Sequence, residues 1–86
     1  MNEAQFEQKV RCLLAEACGS SAALNEGADL LETGLLDSLA LITLLDGLED
    51  IGVEIQPAQV ERDAFRTADS IAELCKTFAR QAGVVV

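Results

Sequence analysis

Gly34-Leu35-Leu36-Asp37-Ser38-Leu39-Ala40-Leu41-Ile42-Thr43-Leu44-Leu45-Asp46-Gly47-Leu48-Glu49-Asp50-Ile51-Gly52 is the stretch on which the fold of this chain turns. Asp37 and Ser38 are both residue types that open helices, because their side-chain oxygens accept from first-turn amides that lack a backbone partner. Behind them Leu41, Leu44, Leu45, Leu48 and Ile51 recur at helical spacing and define a buried stripe, and Gly52 follows as the stop. Gly47 lies inside the helix at a cost of about 1 kcal/mol relative to alanine. Close packing against another helix would explain it. A helix with one apolar stripe must cover it, so the flanking sequence has to supply partners.

It does so on both sides. Phe6, Val10, Leu13, Leu14 and Ala17 share one face of a helix over about 3–18, with Asn2 as N-cap and Gly19 as stop. Near the other end, Ser70-Ile71-Ala72-Glu73 fits a capping box, with Asp69 as the alternative cap. Ile71, Leu74, Cys75, Phe78 and Ala82 carry that helix to about Gln81, where Arg80 complements the C-terminal dipole. Gly83 ends it, and 83–86 reads as a frayed tail. Residues 19–36, rich in Gly, Ser, Asn and Asp, form a long loop, and Leu24, Leu30, Leu31, Leu35 and Leu36 predict that it packs down in order. Val53-Glu54-Ile55 alternates like a strand but has no partner, so it reads as an extended connection to Pro57. Residues 59–66 form at most two helical turns. No repeat, low-complexity tract or linker divides the chain. The expectation is a single all-α domain over 1–86, ordered from about 3 to 82: a small bundle of three main helices and one short helix with a long first loop.

Composition removes whole classes of function. At 86 residues such a domain buries only ~60% of the surface its unfolded chain exposes, which leaves a thin core. Six Lys and Arg against 15 Asp and Glu give a net charge of −9, which opposes nucleic acid, favours partners with basic surfaces and, through self-repulsion, favours a monomer. The absence of His excludes Ser-His-Asp and Cys-His pairs and any His-ligated metal within the chain. Three cysteines are an odd set without a Cys-x-x-Cys and without a fourth zinc ligand, so no metal is expected and a reduced compartment is. Cys12 and Cys75 read as small apolar filler in helices, and Cys18, before Gly19-Ser20-Ser21, as the more exposed thiol. The acidic start Met1-Asn2-Glu3 lacks the features of a signal peptide. Apolar runs reach about four residues, far from the ~20 of a membrane helix, so a soluble, cytoplasmic protein is expected. With so many acids, carboxylate pairs arise by chance, and none marks a catalytic residue. No enzyme is expected.

One constellation carries chemistry. Ser38 sits at a helix N-terminus after a long loop, where unpaired amides and the helix dipole favour an anion, so a phosphodiester there would lie in a favourable field. Alone, Asp37-Ser38-Leu39 is an ordinary cap. Read as a unit with Asp29-Leu30-Leu31-Glu32-Thr33-Gly34-Leu35-Leu36, in a small acidic domain without His, it resembles the acyl carrier proteins. In that family the serine carries 4′-phosphopantetheine. The resemblance implies that a separate phosphopantetheinyl transferase, using coenzyme A and Mg²⁺, supplies the activation a hydroxyl nucleophile needs. Asp37 would help place that metal, or act only as a cap.

Gly52-Val53-Glu54-Ile55 and the run from Val60 to Ile71 are more similar to the D-alanyl carrier proteins, a likeness that covers roughly residues 29–75. Arg62, Asp63, Thr67 and Ile71 keep that family's register, while Val60, Phe65 and Ala68 stand where it has Phe, Trp and Pro. The second helix is one residue shorter. The implied function is a stand-alone aminoacyl carrier, loaded with a thioester by an adenylate-forming ligase and unloaded by a downstream acyl or aminoacyl transferase. A fatty-acyl or polyketide carrier is the alternative, and an unmodified acidic helical adaptor a third. Ala40 and Thr43 replace acids that fatty-acid carriers place on the partner-facing side of helix two, where Asp46, Glu49 and Asp50 remain. Leu39 and Ile42 would then form an apolar docking face, unless Ile42 belongs to the core.

Overall fold

The computed structural model describes residues 2–84. Three α-helices, α1 (Glu3–Cys18), α2 (Ser38–Asp50) and α3 (Ala68–Ala82), pack into an all-α body of 33 × 25 × 19 Å. Among the described residues there is no strand. The short helix expected within 59–66 is present as a 3₁₀ turn at Arg62–Phe65, and two further 3₁₀ turns lie at Ser21–Leu24 and Pro57–Gln59. Pro57 and the brief apolar spacing of 59–66 do not sustain an α-helical ladder, and tight i→i+3 turns take its place.

Helix α1 begins and ends where its residues dictate. Asn2 Oδ1 accepts from Gln5 N at 2.8 Å and Gln5 Oε1 accepts from Asn2 N at 3.3 Å, a reciprocal cap. Gly19, at φ 69°, closes the other end. Phe6, Val10 and Leu14 are buried, and Leu13 and Ala17 flank them half-buried. Helix α2 buries Ala40, Leu44 and Leu48, and leaves Leu41, Leu45 and Ile51 half-buried at its sides. The stripe is thus centred one position around from Leu41, Leu45 and Ile51, with Ala40 in the same buried cluster as the loop leucines Leu30 and Leu36. At Gly47 a methyl would stand 2.9 Å from Leu13 Cδ2, so the glycine is where α1 and α2 approach.

Helix α3 starts earlier than expected. Thr67 is its N-cap, and Ser70 is the third residue of the box: Thr67 Oγ1 accepts from Ser70 N and Ser70 Oγ from Thr67 N, both at 3.1 Å. Neither Ser70 nor Asp69 is the cap, and Glu73 takes no part in it. The helix runs to Ala82 with Gly83 at φ 77°. Of the tail expected to fray, Val84 N donates to Ala79 O at 2.9 Å and its side chain packs on the core. Val85 and Val86 lie outside the described residues. Val53 and Ile55 are buried around exposed Glu54 in an extended connection, as the alternation suggested.

The cysteines are distributed differently from expectation. Cys12 is exposed, Cys18 half-buried and Cys75 buried, all as free thiols. Cys12 lies two residues past Val10 and so faces away from the Phe6/Val10/Leu14 stripe. Burial pushes the Cys75 thiol up to about 12, which keeps it neutral filler.

Charge joins α1 to α3. Lys76, nearly buried, pairs with Glu7, with Glu73 at 3.5 Å and with Glu3 at 3.7 Å. Arg80 reaches Glu3 at 3.0 Å, and Arg11 spans Glu7 at 3.4 Å and Asp69 at 2.8 Å. Hydrogen bonds from Arg80 and Lys76 hold the Glu3 and Glu7 carboxyls, respectively, below the usual carboxylate range. A carboxyl whose value is lowered by folding contributes stability above its unfolded value and loses it as pH falls through the folded one. The melting-temperature gap between wild type and Glu7→Gln is therefore open at pH 7 and closes below about pH 4. Thermal unfolding of both proteins across pH 3–7 measures it.

Candidate functional site

The chain between α1 and α2 is ordered by a polar knot and two buried leucines. Asp29 Oδ1 accepts from Leu31 N at 3.1 Å and Glu32 N at 2.9 Å, and Thr33 Oγ1 donates to Asp29 O at 2.7 Å. The other carboxylate oxygen takes Arg66 Nη1 at 2.8 Å, while Arg66 Nη2 donates to Asp63 Oδ1 at 2.8 Å. Leu30 N donates to Arg66 O at 2.7 Å. The amide bonds from the Glu32 turn, then Arg66, hold the Asp29 carboxyl below its usual range. Leu30 and Leu36 insert into the core. Gly34, at φ 75°, makes the bend that returns the chain, so that Leu36 N reaches Leu30 O at 3.1 Å. This loop delivers Asp37 and Ser38 to the start of α2.

There Asp37 is the cap. Its backbone is extended and its Oδ1 accepts from Ala40 N at 2.8 Å. That leaves the amides of Ser38 and Leu39, the first two of the helix, without a protein acceptor among the described residues. Ser38 is exposed and its hydroxyl makes no hydrogen bond among the described residues, unlike those of two of the other three serines. Ser20 Oγ caps a 3₁₀ turn through Ala22 N, and Ser70 Oγ lies 2.9 Å from the carbonyls of both Ala64 and Thr67. Ser21 is exposed too, but it opens a four-residue 3₁₀ turn away from this site.

Beside Ser38 opens a cavity of about 480 Å³. Leu31, Leu36, Leu41 and Phe65 form its apolar walls, Gly34 its rim, and Asp37, Ser38 and Arg62 its polar part. None of these walls was legible beforehand. The 3₁₀ turn at Arg62–Phe65 swings Phe65 under the loop and brings Arg62 to the same opening, a placement no local periodicity encodes. Arg66 and Asp29, 37 residues apart, are the other pair that sequence reasoning missed. Asp29 does bear one local sign, an Asp ahead of a tight turn.

The remaining candidates lie along α2. Leu39 is 73% exposed and Ile42 57%, the two large apolar side chains left in solvent among the described residues, so Ile42 is not core. Thr43 turns its hydroxyl to Leu39 O at 2.9 Å. Asp46, Glu49 and Asp50 continue the exposed side. Positions 39, 42, 46 and 49 fall on one helical face, apolar near Ser38 and acidic further on. Ala40 does not belong to that face as expected: it is 4% exposed and packs inward. Cys18 stands near enough to Asp37 for burial and then the carboxylate charge to raise its thiol. No group of His, Cys, Asp and Glu suited to a metal ion occurs among the described residues, and no helix there is long and apolar enough to cross a membrane.

The residues at Ser38 suit a phosphate ester. An accessible hydroxyl adjoins two free amides at the positive end of a 13-residue helix, next to a groove with space for a chain. The model of the phosphopantetheine attachment site family matches residues 8–78. The D-alanyl carrier protein of Bacillus velezensis (strain FZB42) is 33% identical over 69 residues, which span 78% of this chain and 88% of that protein. A covalent 4′-phosphopantetheine is the prosthetic group this implies, and the chain belongs to the carrier proteins of the phosphopantetheine attachment family.

Proposed function

We propose that this protein is an aminoacyl carrier whose prosthetic arm is attached at Ser38. The uncommitted hydroxyl at the first turn of α2, beside two free amides, supports that site. The likeness to a D-alanyl carrier over most of the chain supports the cargo class. When bound, the arm supplies a terminal thiol on which the cargo is held as a thioester. The chain's own residues present, orient and are recognised, and catalyse nothing. Asp37 Oδ1 is spent on Ala40 N, which leaves Oδ2 for the Mg²⁺ used by the phosphopantetheinyl transferase. Leu39 and Ile42 dock the adenylate-forming ligase and the downstream acyl or aminoacyl transferase, and Asp46, Glu49 and Asp50 meet their basic rims. Tethering raises the effective concentration of cargo at each partner. The protein works in the cytoplasm and, at −9, stays monomeric.

The apolar walls of the cavity favour a second reading, a fatty-acyl or polyketide carrier. Loading separates the two. The arm-bearing protein, given D-alanine, ATP and a D-alanine-adenylating ligase, gains one hydroxylamine-labile D-alanyl group per chain by intact mass. Its melting temperature moves by less than about 1 °C, because a small cargo buries little in the bundle. No gain here, with acceptance of a long acyl chain that raises the melting temperature by several degrees, would move the assignment to the acyl carriers.

A further inference from the structure

We propose that Arg62 is a positioning residue that clamps the phosphodiester of the arm from across the cavity, an inference that rests on attachment at Ser38. Charge arithmetic singles it out. The chain has six Lys and Arg. Arg11, Arg66, Lys76 and Arg80 are each held by at least one carboxylate. Lys9 and Arg62 have no carboxylate within ion-pair distance among the described residues. In a protein of net charge −9, a guanidinium left without a partner is conspicuous.

Its position gives it a task. Among the described residues Arg62 is the only cation lining the cavity that Ser38 lines, and Asp37, the carboxylate there, gives its Oδ1 to the α2 cap. The 3₁₀ turn at Arg62–Phe65 is anchored by Phe65 in the core and by Asp63 on Arg66, so the stem of Arg62 projects from a fixed base. A phosphate ester on Ser38 adds one negative charge between that guanidinium and the free amides of Ser38 and Leu39. Amides and guanidinium then bind from two sides, and the planar fork suits phosphate oxygens. The clamp biases the arm to leave Ser38 along the apolar cavity walls rather than into solvent.

The test compares wild type, Arg62→Gln and Lys9→Gln, each converted by coenzyme A, Mg²⁺ and a phosphopantetheinyl transferase and checked by intact mass. Lys9→Gln makes the same change in net charge on α1 and controls for the overall field. In wild type and Lys9→Gln, attachment shifts the Nε–Hε resonance of Arg62 and raises the melting temperature by about 2–4 °C in low salt. In Arg62→Gln the gain in melting temperature falls by half or more, and the ³¹P resonance of the diester moves from its wild-type position. An unmoved Arg62 resonance, with equal melting gains in all three modified proteins, would overturn the clamp while leaving attachment intact. Failure of the wild type to gain mass would overturn the attachment reading, and the clamp with it.

Discussion

Ser38→Ala is expected to take arm incorporation from one per chain to none and to leave the domain folded. The two halves of that result have separate causes. Loss is complete because, with the arm attached at Ser38 as proposed, the hydroxyl oxygen is the atom that bonds to phosphorus, and alanine has none. The fold survives because Ser38 is exposed, has no side-chain hydrogen bond among those described, and is not the cap. Asp37 holds that role, and alanine is at home in a first helical turn. Stability therefore changes by no more than about 0.5 kcal/mol. Intact mass after transferase treatment, with thermal unfolding of the same samples, reads both halves. Incorporation that persisted in the variant would point to another hydroxyl, and Ser21 is the next exposed serine.

Phe6→Ala has the largest effect on stability. Phe6 is 0% exposed and belongs to the core cluster. Removing a buried phenyl ring loses its transfer energy and leaves a cavity, for about 3–5 kcal/mol. A domain of this size has roughly 4–13 kcal/mol in all. At about 4–8 °C per kcal/mol the melting temperature falls by more than 12 °C, and arm incorporation falls with the folded fraction. Leu39→Ala removes a side chain of similar hydrophobicity from a position 73% exposed, and its melting temperature changes by a few degrees at most. Equal losses in the two variants would contradict the packing described here.

What could be read beforehand was local, and what could not was set by contacts across the fold. The limits of α1 and its cap, the start of α2 at Ser38 and the stop at Gly83 depend on residues within a turn of each other. The start of α3 did not yield to the same reasoning, because two caps compete there. Ser70-x-x-Glu73 satisfies the capping pattern, but the Ser70 hydroxyl is drawn to Ala64 O, and Thr67 caps instead. That choice adds Ala68 to the buried side of α3. Cys12 is exposed where its apolar surroundings suggest burial, because an apolar neighbour in sequence is not a neighbour on a helix face. At the site, Ser38 and Asp37 were legible as a motif. The cavity was not, since its walls come from residues 31–41 and 62–65 and meet only after Arg66 ties Asp29 to the segment before α3. The α2 face divided cleanly: Leu39 and Ile42 stayed outside, and Ala40 went in.

The central claim is that Ser38 carries the arm. It is tested most directly by treating the wild-type protein with coenzyme A, Mg²⁺ and a promiscuous phosphopantetheinyl transferase, then digesting it and locating the added group by fragmentation. The account predicts one arm per chain, on the peptide containing Asp37-Ser38-Leu39, with the fragment series placing it on Ser38. A folded protein that gained no mass, or an arm found on any other residue, would contradict it.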